Sequence, residues 1–430
     1  IIYNHLLKKN IIIPPREDHD KDTQYEGAYV KDPQLGLHNW IVSFDLNSLY
    51  PHLIMQYNLS PETLVGVQPK NMGVENYLNQ KFNLQWARDK NVAVAPNGSM
   101  YRRDKQGFLP ELMEKMYGDR VVFKKKTIEA KKEFQKTKDP IYKNEISRCN
   151  NIQMAKKIAL NSAYGAIGNQ YFRYFDVRIA EAITLGGQLS IRWVERDVNR
   201  FMNKLLNTDN VNYVVASDTD SIYLKLDKLV EKVCKDKSPQ QITDFINKAA
   251  EDKIQKVIDD SFKNLAKYVN AYQQKMIMKR EAIANKAIWV AKKRYMMNVF
   301  DEEGIRFDIP KLKIMGVEAV KSSTPEVCRG KIKDAIRVIM NDSEDALIKF
   351  VADFKEVFKT LSPEEVAFPR SCNYIDKYVD PNSIYKKGTP IHVKGALVYN
   401  HHILKNKLQM KYPLIKDGDK IKFLMLKQPN

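Results

Sequence analysis

The chain has 430 residues, with 71 Lys and Arg against 52 Asp and Glu, a formal charge of +19. Hydrophobic residues make up 43% and aromatics 10%, enough apolar surface for sizeable cores, which excludes a disordered chain; at roughly 150 residues per domain, two or three lobes are expected. Apolar runs fall well short of the eighteen or so residues that a membrane span needs, and the charge surplus points to a polyanionic partner.

Residues 1–40 carry Pro14-Pro15 and a polar run from Arg16 to Tyr25, and read as an irregular lead-in. Trp40–Asp45 is apolar, β-branched and aromatic, a strand, and it runs into a helix with Pro51 in its first turn. The spacing predicts a basic helix over 110–138, a turn at Lys138-Asp139-Pro140, a second helix to about Ala163 and a third over 176–206. Asn212–Ala216 and Ile222–Leu226 predict a hairpin with Asp218 and Asp220 at its tip. A helix over 241–268 follows, then strand-like runs at Lys275–Lys279 and Ala287–Val290, the basic cluster Lys292-Lys293-Arg294-Tyr295, and a helical pattern around 325–360.

Asp45 therefore ends one apolar strand, and Asp218 and Asp220 sit at the tip of an apolar hairpin. Carboxylates brought together beside a buried sheet repel and are costly unless a cation meets them. Two Mg²⁺ ions about 3.5–4 Å apart resolve that conflict in phosphoryl chemistry, and Mg²⁺ takes a few carboxylates plus substrate oxygens. Asp45, Asp220 and the Leu46 carbonyl suit such ions. A lone Asp-Thr-Asp is otherwise an ordinary turn.

In the basic hairpin, a turn centred between residues 139 and 140 sets Arg120 level with the Lys157–Asn161 stretch. Lys124 follows Arg120 at i+4, and Lys157, Asn161 and Tyr164 recur on one face. Three cations and an amide would converge there, as a triphosphate requires. Taken alone, such a face is also what a solvated basic helix presents. The seven histidines form no cluster with metal-ligand spacing, and no P-loop, Ser-His-Asp or Cys-His arrangement occurs. Cys149, Cys234, Cys328 and Cys372 are scattered without a CxxC pair, as reduced structural thiols are.

The segments Asp45-Leu46-Asn47-Ser48-Leu49-Tyr50-Pro51, Lys157–Gly165, Asp218-Thr219-Asp220-Ser221 and Lys292-Lys293-Arg294-Tyr295 resemble, in order, four motifs of family B DNA polymerases, in particular those of T4-like bacteriophages. The resemblance implies an α+β right-hand fold: a palm of antiparallel sheet plus helices (1–106 with the lead-in, and 170–320), helical-hairpin fingers (107–169) and a partial thumb (321–430). It implies template-directed addition of deoxynucleotides to a primer, with primer–template DNA and dNTP as partners. Asp45 and Asp220 would be the catalytic, metal-binding pair, with Asp218 adjacent and Leu46 contributing. Mg²⁺ is the implied cofactor, two ions, with Mn²⁺ able to substitute, and Glu281 matches an auxiliary palm carboxylate.

By the same resemblance, Ser48, Leu49, Tyr50, Arg120, Lys124, Lys157, Asn161 and Tyr164 would bind nucleotide. Tyr50 would pack beneath the deoxyribose and Tyr164 beneath the nascent pair, where Gly165 leaves room. Gly165, Lys292, Lys293, Arg294 and Tyr295 would contact DNA. Ser217 departs from the glycine that many relatives place before the Asp-Thr-Asp tip. Only 44 residues precede Asp45, so no exonuclease domain is expected in this chain, and both ends, Ile1 and Lys427–Asn430, read as cuts. A separate exonuclease-bearing or thumb-completing polypeptide and a sliding clamp are the further partners implied, with no membrane, in the cytoplasm of an infected bacterium. The alternative is a primer–template-binding module inactive without a complementing subunit.

Overall fold

A computed structural model describes residues 1–15, 17, 24–68 and 72–425. Most of the polar run from Arg16 to Tyr25, and Lys427–Asn430, lie outside the described residues. The chain divides into two compact units, the first Ile1–Ala287 with Val299–Pro310, the second Ile288–Asn298 with Lys311–Asn430. Among the described residues no helix is long and apolar enough to cross a membrane.

The first unit is organised by β1 (Gly36–Leu46) and by α1 (Leu49–Tyr57), which follows it directly. Residues Ile41 to Phe44 are all buried. Packing on both faces explains why this strand reads as a continuous apolar run and not as an alternation. Two long helices come next, α2 (Phe108–Thr137) and α3 (Pro140–Ile167). The turn between them is built from its residues: Lys138 adopts the left-handed conformation (φ 58°) at the end of α2, and the Asp139 side chain accepts from the Ile141 amide with Pro140 opening α3. Lys156 reaches Asp119 across the pair at 2.8 Å.

Helix α4 (Val177–Leu206) is buried all round from Ala182 to Ile191, and Ile179 and Trp193 extend the burial at either end. Gly186 and Gly187 face α1: a Cβ on Gly187 would lie 3.3 Å from Leu49 Cδ2 and 3.4 Å from Tyr50 Cε1. Bare backbone there lets α1 and its Tyr50 settle on α4.

Then come β2 (Val214–Asp218), β3 (Ser221–Lys225), α5 (Pro239–Ala249), α6 (Gln255–Tyr268), β4 (Met278–Ala291), β5 (Arg294–Glu302) and β6 (Ile305–Met315). A five-residue π-helical turn, Ala250–Ile254, joins α5 to α6. The main sheet runs in the order β2-β3-β1-β4-β5-β6, so β1 is inserted between segments far away in sequence. The strands here are Met278–Ala291 and Arg294–Glu302, where the sequence suggested short runs at Lys275–Lys279 and Ala287–Val290; residues 275–277 lie outside any strand, and Glu281, Asn285 and Lys286, only partly buried, interrupt the apolar signal. A smaller sheet of Leu64–Val67, Ser99–Arg102 and Val92–Val94, in that order, completes this unit.

The second unit contains α7 (Glu326–Asn341), α8 (Glu344–Thr360), the paired strands β7 (Phe368–Ser371) and β8 (Lys420–Phe423), and α9 (Ile391–Lys405). Its apolar clusters are small and separate. One gathers Met296, Val317, Ala319, Ile336 and Met340, the other Cys372, Ile375, Val393, Ala396 and Leu397.

Candidate active site

Strands β1 and β3 are antiparallel, with Asp45 paired to Ser221 and Phe44 to Ile222. The Leu46 amide donates to the Asp220 carbonyl at 2.8 Å. Asp45 and Asp220, 175 positions apart in sequence, thus become neighbours on adjoining strands. The β2–β3 tip is tight. Asp218 pairs with Ser221, and the Asp220 amide donates to the Asp218 carbonyl at 2.6 Å around Thr219, whose φ is +57°. A β-branched residue at positive φ is an uncommon, strained choice. The positive φ falls on Thr219 and not on Ser217, so the missing glycine at 217 costs the turn nothing. The lead-in braces the tip: Tyr29 accepts from the Thr219 amide at 3.0 Å, and Lys31 donates to the Ser217 carbonyl at 3.1 Å.

A cavity of about 660 Å³ opens over these strand ends and is lined wholly by the first unit. Asp45, Leu46, Asp220 and Glu281 line it from the sheet, Ser48, Leu49 and Tyr50 from the start of α1, Arg120 and Lys124 from α2, and Lys157, Asn161 and Tyr164 from α3. Helix α2 is tied to the start of α1 by Arg120 Nη1, which donates to Ser48 Oγ at 2.8 Å. Lys124 reaches Glu303 at 3.4 Å. Glu281 is oriented by Ser43, whose hydroxyl donates to Glu281 Oε2 at 3.1 Å while accepting from the Ala282 amide. Asp218 ends β2 beside this tip.

The cavity has an aromatic floor. The rings of Tyr50 and Tyr164 lie 4.5 Å apart, centre to centre, at 47°. Tyr25 from the lead-in brings its hydroxyl within 3.4 Å of the Tyr164 hydroxyl. Burial, and then the nearby Asp220 carboxylate, push the Tyr50 phenol up from its ordinary value. Burial and the Tyr25 hydroxyl raise Tyr164. Both rings therefore stay uncharged at neutral pH. Around Gly165 there is open space where a Cβ would meet nothing. Below, His52 lies buried with Nδ1 3.0 Å from the Ser48 carbonyl and its ring edge-on to Tyr117.

Charge on the lining is nearly balanced. Arg120, Lys124, Lys157, Lys279 and Arg280 face Asp45, Asp220, Glu281 and Glu303. The donor set fits divalent magnesium: two strand-end carboxylates with a backbone carbonyl beside them leave coordination positions for substrate phosphate, as Mg²⁺ prefers. Among the described residues no group of three or more His, Cys, Asp or Glu is arranged to hold a metal by itself.

Lys292, Lys293, Arg294 and Tyr295 lie in the second unit. Lys292 and Lys293 form the turn between β4 and β5, with Lys293 at φ +60°, and Gly316 packs so closely that a Cβ would fall 2.1 Å from the Lys293 carbonyl. Tyr295 is buried and stacks on Trp289 at 5.5 Å, and Arg294 pairs with Glu318. The two lysines thus present the polar end of this hairpin, while Tyr295 serves its core. Tyr25, Lys279 and Glu303 belong to the site or its immediate surroundings and escaped sequence reasoning. Tyr25 stands in an aperiodic segment, and Glu303 in a Glu-Gly turn that reads as solvent-facing. Lys279 alone carried a signal, its place beside Arg280-Glu281.

The family model described as DNA polymerase family B matches residues 1–429. Over its full length the chain is 33% identical to the DNA-directed DNA polymerase of Escherichia phage RB69 and 32% identical to that of Enterobacteria phage T4, covering 52% of each of those proteins. DNA polymerase 1 of Pyrococcus abyssi is 28% identical, over 80% of this chain and 35% of its own length. The chain spans about half the length of the phage relatives it matches.

Proposed function

Because the chain belongs to DNA polymerase family B, we propose that its first-unit cavity is the nucleotidyl-transfer site of a template-directed DNA polymerase. The observation that carries the reading is the convergence on one cavity of Asp45 and Asp220 from adjoining strands, Arg120, Lys124 and Lys157 from a two-helix arm, and the Tyr50–Tyr164 pair. In the reaction the primer 3′-oxygen forms a bond to the α-phosphorus of a dNTP, the bond to the β-phosphate bridging oxygen breaks, and pyrophosphate leaves.

Asp45, Asp220 and the Leu46 carbonyl would hold two Mg²⁺, which when bound lower the pKa of the attacking hydroxyl and neutralise the leaving group. The chain's own groups position the substrate. Arg120, Lys124 and Lys157 offer a cationic clamp for the triphosphate, and Asn161 an amide beside it. The first amides of α1, at Ser48 to Tyr50, have no partner within their helix and suit phosphate oxygens. Tyr50 stands where a sugar would rest and rejects a 2′-hydroxyl by volume. Tyr164 supplies a flat apolar face to the pair, and the space at Gly165 admits it. Glu281, tied to Ser43, is an auxiliary carboxylate. Catalysis of this kind is positioning and electrostatics. The palm, fingers and thumb assignments of 1–106 with 170–320, 107–169 and 321–430 form part of this proposal.

The test is primer extension by purified protein with Mg²⁺, beside Asp45→Ala and Asp220→Ala and a filter-binding titration of primer–template. Extension that either substitution abolishes, with DNA binding retained, is the expected result. Extension surviving either substitution refutes the assignment, and binding without extension by the unaltered chain marks a binding module.

A further inference from the structure

The turn between β5 and β6 is made by Glu303 and Gly304, with φ of +51° and +84°. Two positive φ values define a tight hairpin turn that favours Asn-Gly or Asp-Gly; a long-chain Glu at the first position is an uncommon choice. The turn is clamped from both sides. The Glu303 amide donates to the Glu281 carbonyl at 2.7 Å, and the Gly304 amide donates to Asp301 Oδ1 at 3.1 Å. Asp301 is itself buried and held by Arg280 and, at 3.0 Å, by Arg306. A rigid support thus places an exposed carboxylate on the wall of the cavity. Its partner there is Lys124, at 3.4 Å.

We propose that Glu303 is an exchange partner for the nucleotide: it holds Lys124 while the cavity contains no triphosphate, and gives Lys124 up to the incoming phosphates. This inference rests on the polymerase reading of the cavity and deepens it. An anion entering beside Lys124 must compete with the carboxylate already there. A triphosphate, with several charges, wins that competition, whereas a ligand of low charge does not. Because both side chains are well exposed, the hold is weak enough to release. Glu303 thereby sets how much nucleotide is needed and touches no reacting atom. It is a positioning residue.

The experiment is a double-mutant cycle on steady-state single-nucleotide incorporation, with Glu303→Gln, Lys124→Ala and the double variant. Glu303→Gln should lower KM for dNTP about two- to fivefold, the range that exposed ion pairs command, with kcat unchanged. In the Lys124→Ala background the same change should leave KM where it was, and raising salt should shrink the effect of Glu303→Gln. Glu303→Asp, which keeps the charge and suits the turn, should restore a KM near that of the unaltered chain, separating charge from any disturbance of the fold. Three results overturn the proposal: an unchanged KM in Glu303→Gln, a fall in kcat, or an equal fall in KM with and without Lys124. Failure of the unaltered chain to extend a primer would instead refute the polymerase reading.

Discussion

The two units each contain a cleft lined by several cations, and the clefts differ in kind. The first-unit cavity sets its cations against Asp45, Asp220, Glu281 and Glu303. The second-unit cleft, about 910 Å³, has Arg329, Arg370, Lys420 and Lys422 among its lining, with Ser322, Ser323 and Thr324, and its acids are Glu326 and Glu365. In the first, Asp45 ends a buried strand and Asp220 tips a buried hairpin, where a carboxylate is costly without a cation. In the second, the acids sit in the first turns of short or exposed helices, where a carboxylate is at home on the helix dipole. That cleft sets cations together without a carboxylate at a strand end. Charge alone, which the composition announces, does not separate grip from catalysis; the secondary structure beneath each carboxylate does.

Removing the carboxylates should break the comparison most severely. Asp45→Ala or Asp220→Ala should lower primer extension by at least about 10²–10³, on the order of losing one preorganised electrostatic group, with DNA binding little changed. The cavity would then resemble the second-unit cleft, binding without turnover. Next in size is the sugar wall. Tyr50→Ala should cost up to about a hundredfold in discrimination against ribonucleotides, near the ceiling for rejecting one hydroxyl by shape. Gly187→Ala, which presses a methyl toward Tyr50 and Leu49, should shift the same ratio by less while lowering the melting temperature. Competition between dNTP and rNTP in single-nucleotide incorporation measures both, and an unaltered ratio removes Tyr50 from this role.

The second cleft should respond in another variable. Arg370→Ala or Lys422→Ala should leave kcat at saturating DNA intact and weaken DNA binding. The slope of log affinity against log salt should fall by about one for each phosphate that is no longer neutralised. A change in kcat with an unaltered slope would mean that the division of labour is wrong.

Much of the first cavity was legible in the sequence because its parts are periodic. A continuous apolar strand ending in Asp45, an apolar hairpin tipped by Asp220 and cations at i and i+4 each carry a local signature, and the turn at Lys138–Pro140 fixes which residues of the two helices come level. What stayed hidden depends on long-range pairing. The insertion of β1 between β3 and β4 has no local signal. The lead-in from Tyr25 to Lys31 has no period at all, yet it braces Thr219 and reaches Tyr164. Strand β6 was missed because neither of its faces is well buried and Pro310 interrupts it. The short strands β7 and β8 run four residues each, too few to show alternation. The motifs of the resemblance contain many of the residues that line the cavity, but Glu303 lay outside them and became visible only with its partner.

The smallest effect expected concerns the support beneath the cavity. His52 is buried on α1, donates its Nδ1–H to the Ser48 carbonyl, and meets the edge of Tyr117 on α2. Burial pushes its imidazole pKa below the ordinary value; the hydrogen bond to Ser48 partly opposes this, and Lys275 and Arg120 nearby add to the lowering. A histidine held neutral in the fold but free to protonate when unfolded makes the unfolded state bind more protons below about pH 6.5. Its contribution to stability is therefore present above that pH and is lost as pH falls toward the lowered folded value. His52→Gln, which keeps a polar atom for Ser48 and cannot titrate, should flatten the decline in melting temperature between about pH 7 and pH 5 relative to the unaltered chain. No comparable histidine lies in the described lining of the second cleft, so the acid-labile step should report the first unit. If the two proteins lose stability in parallel on acidification, His52 is not the group that responds.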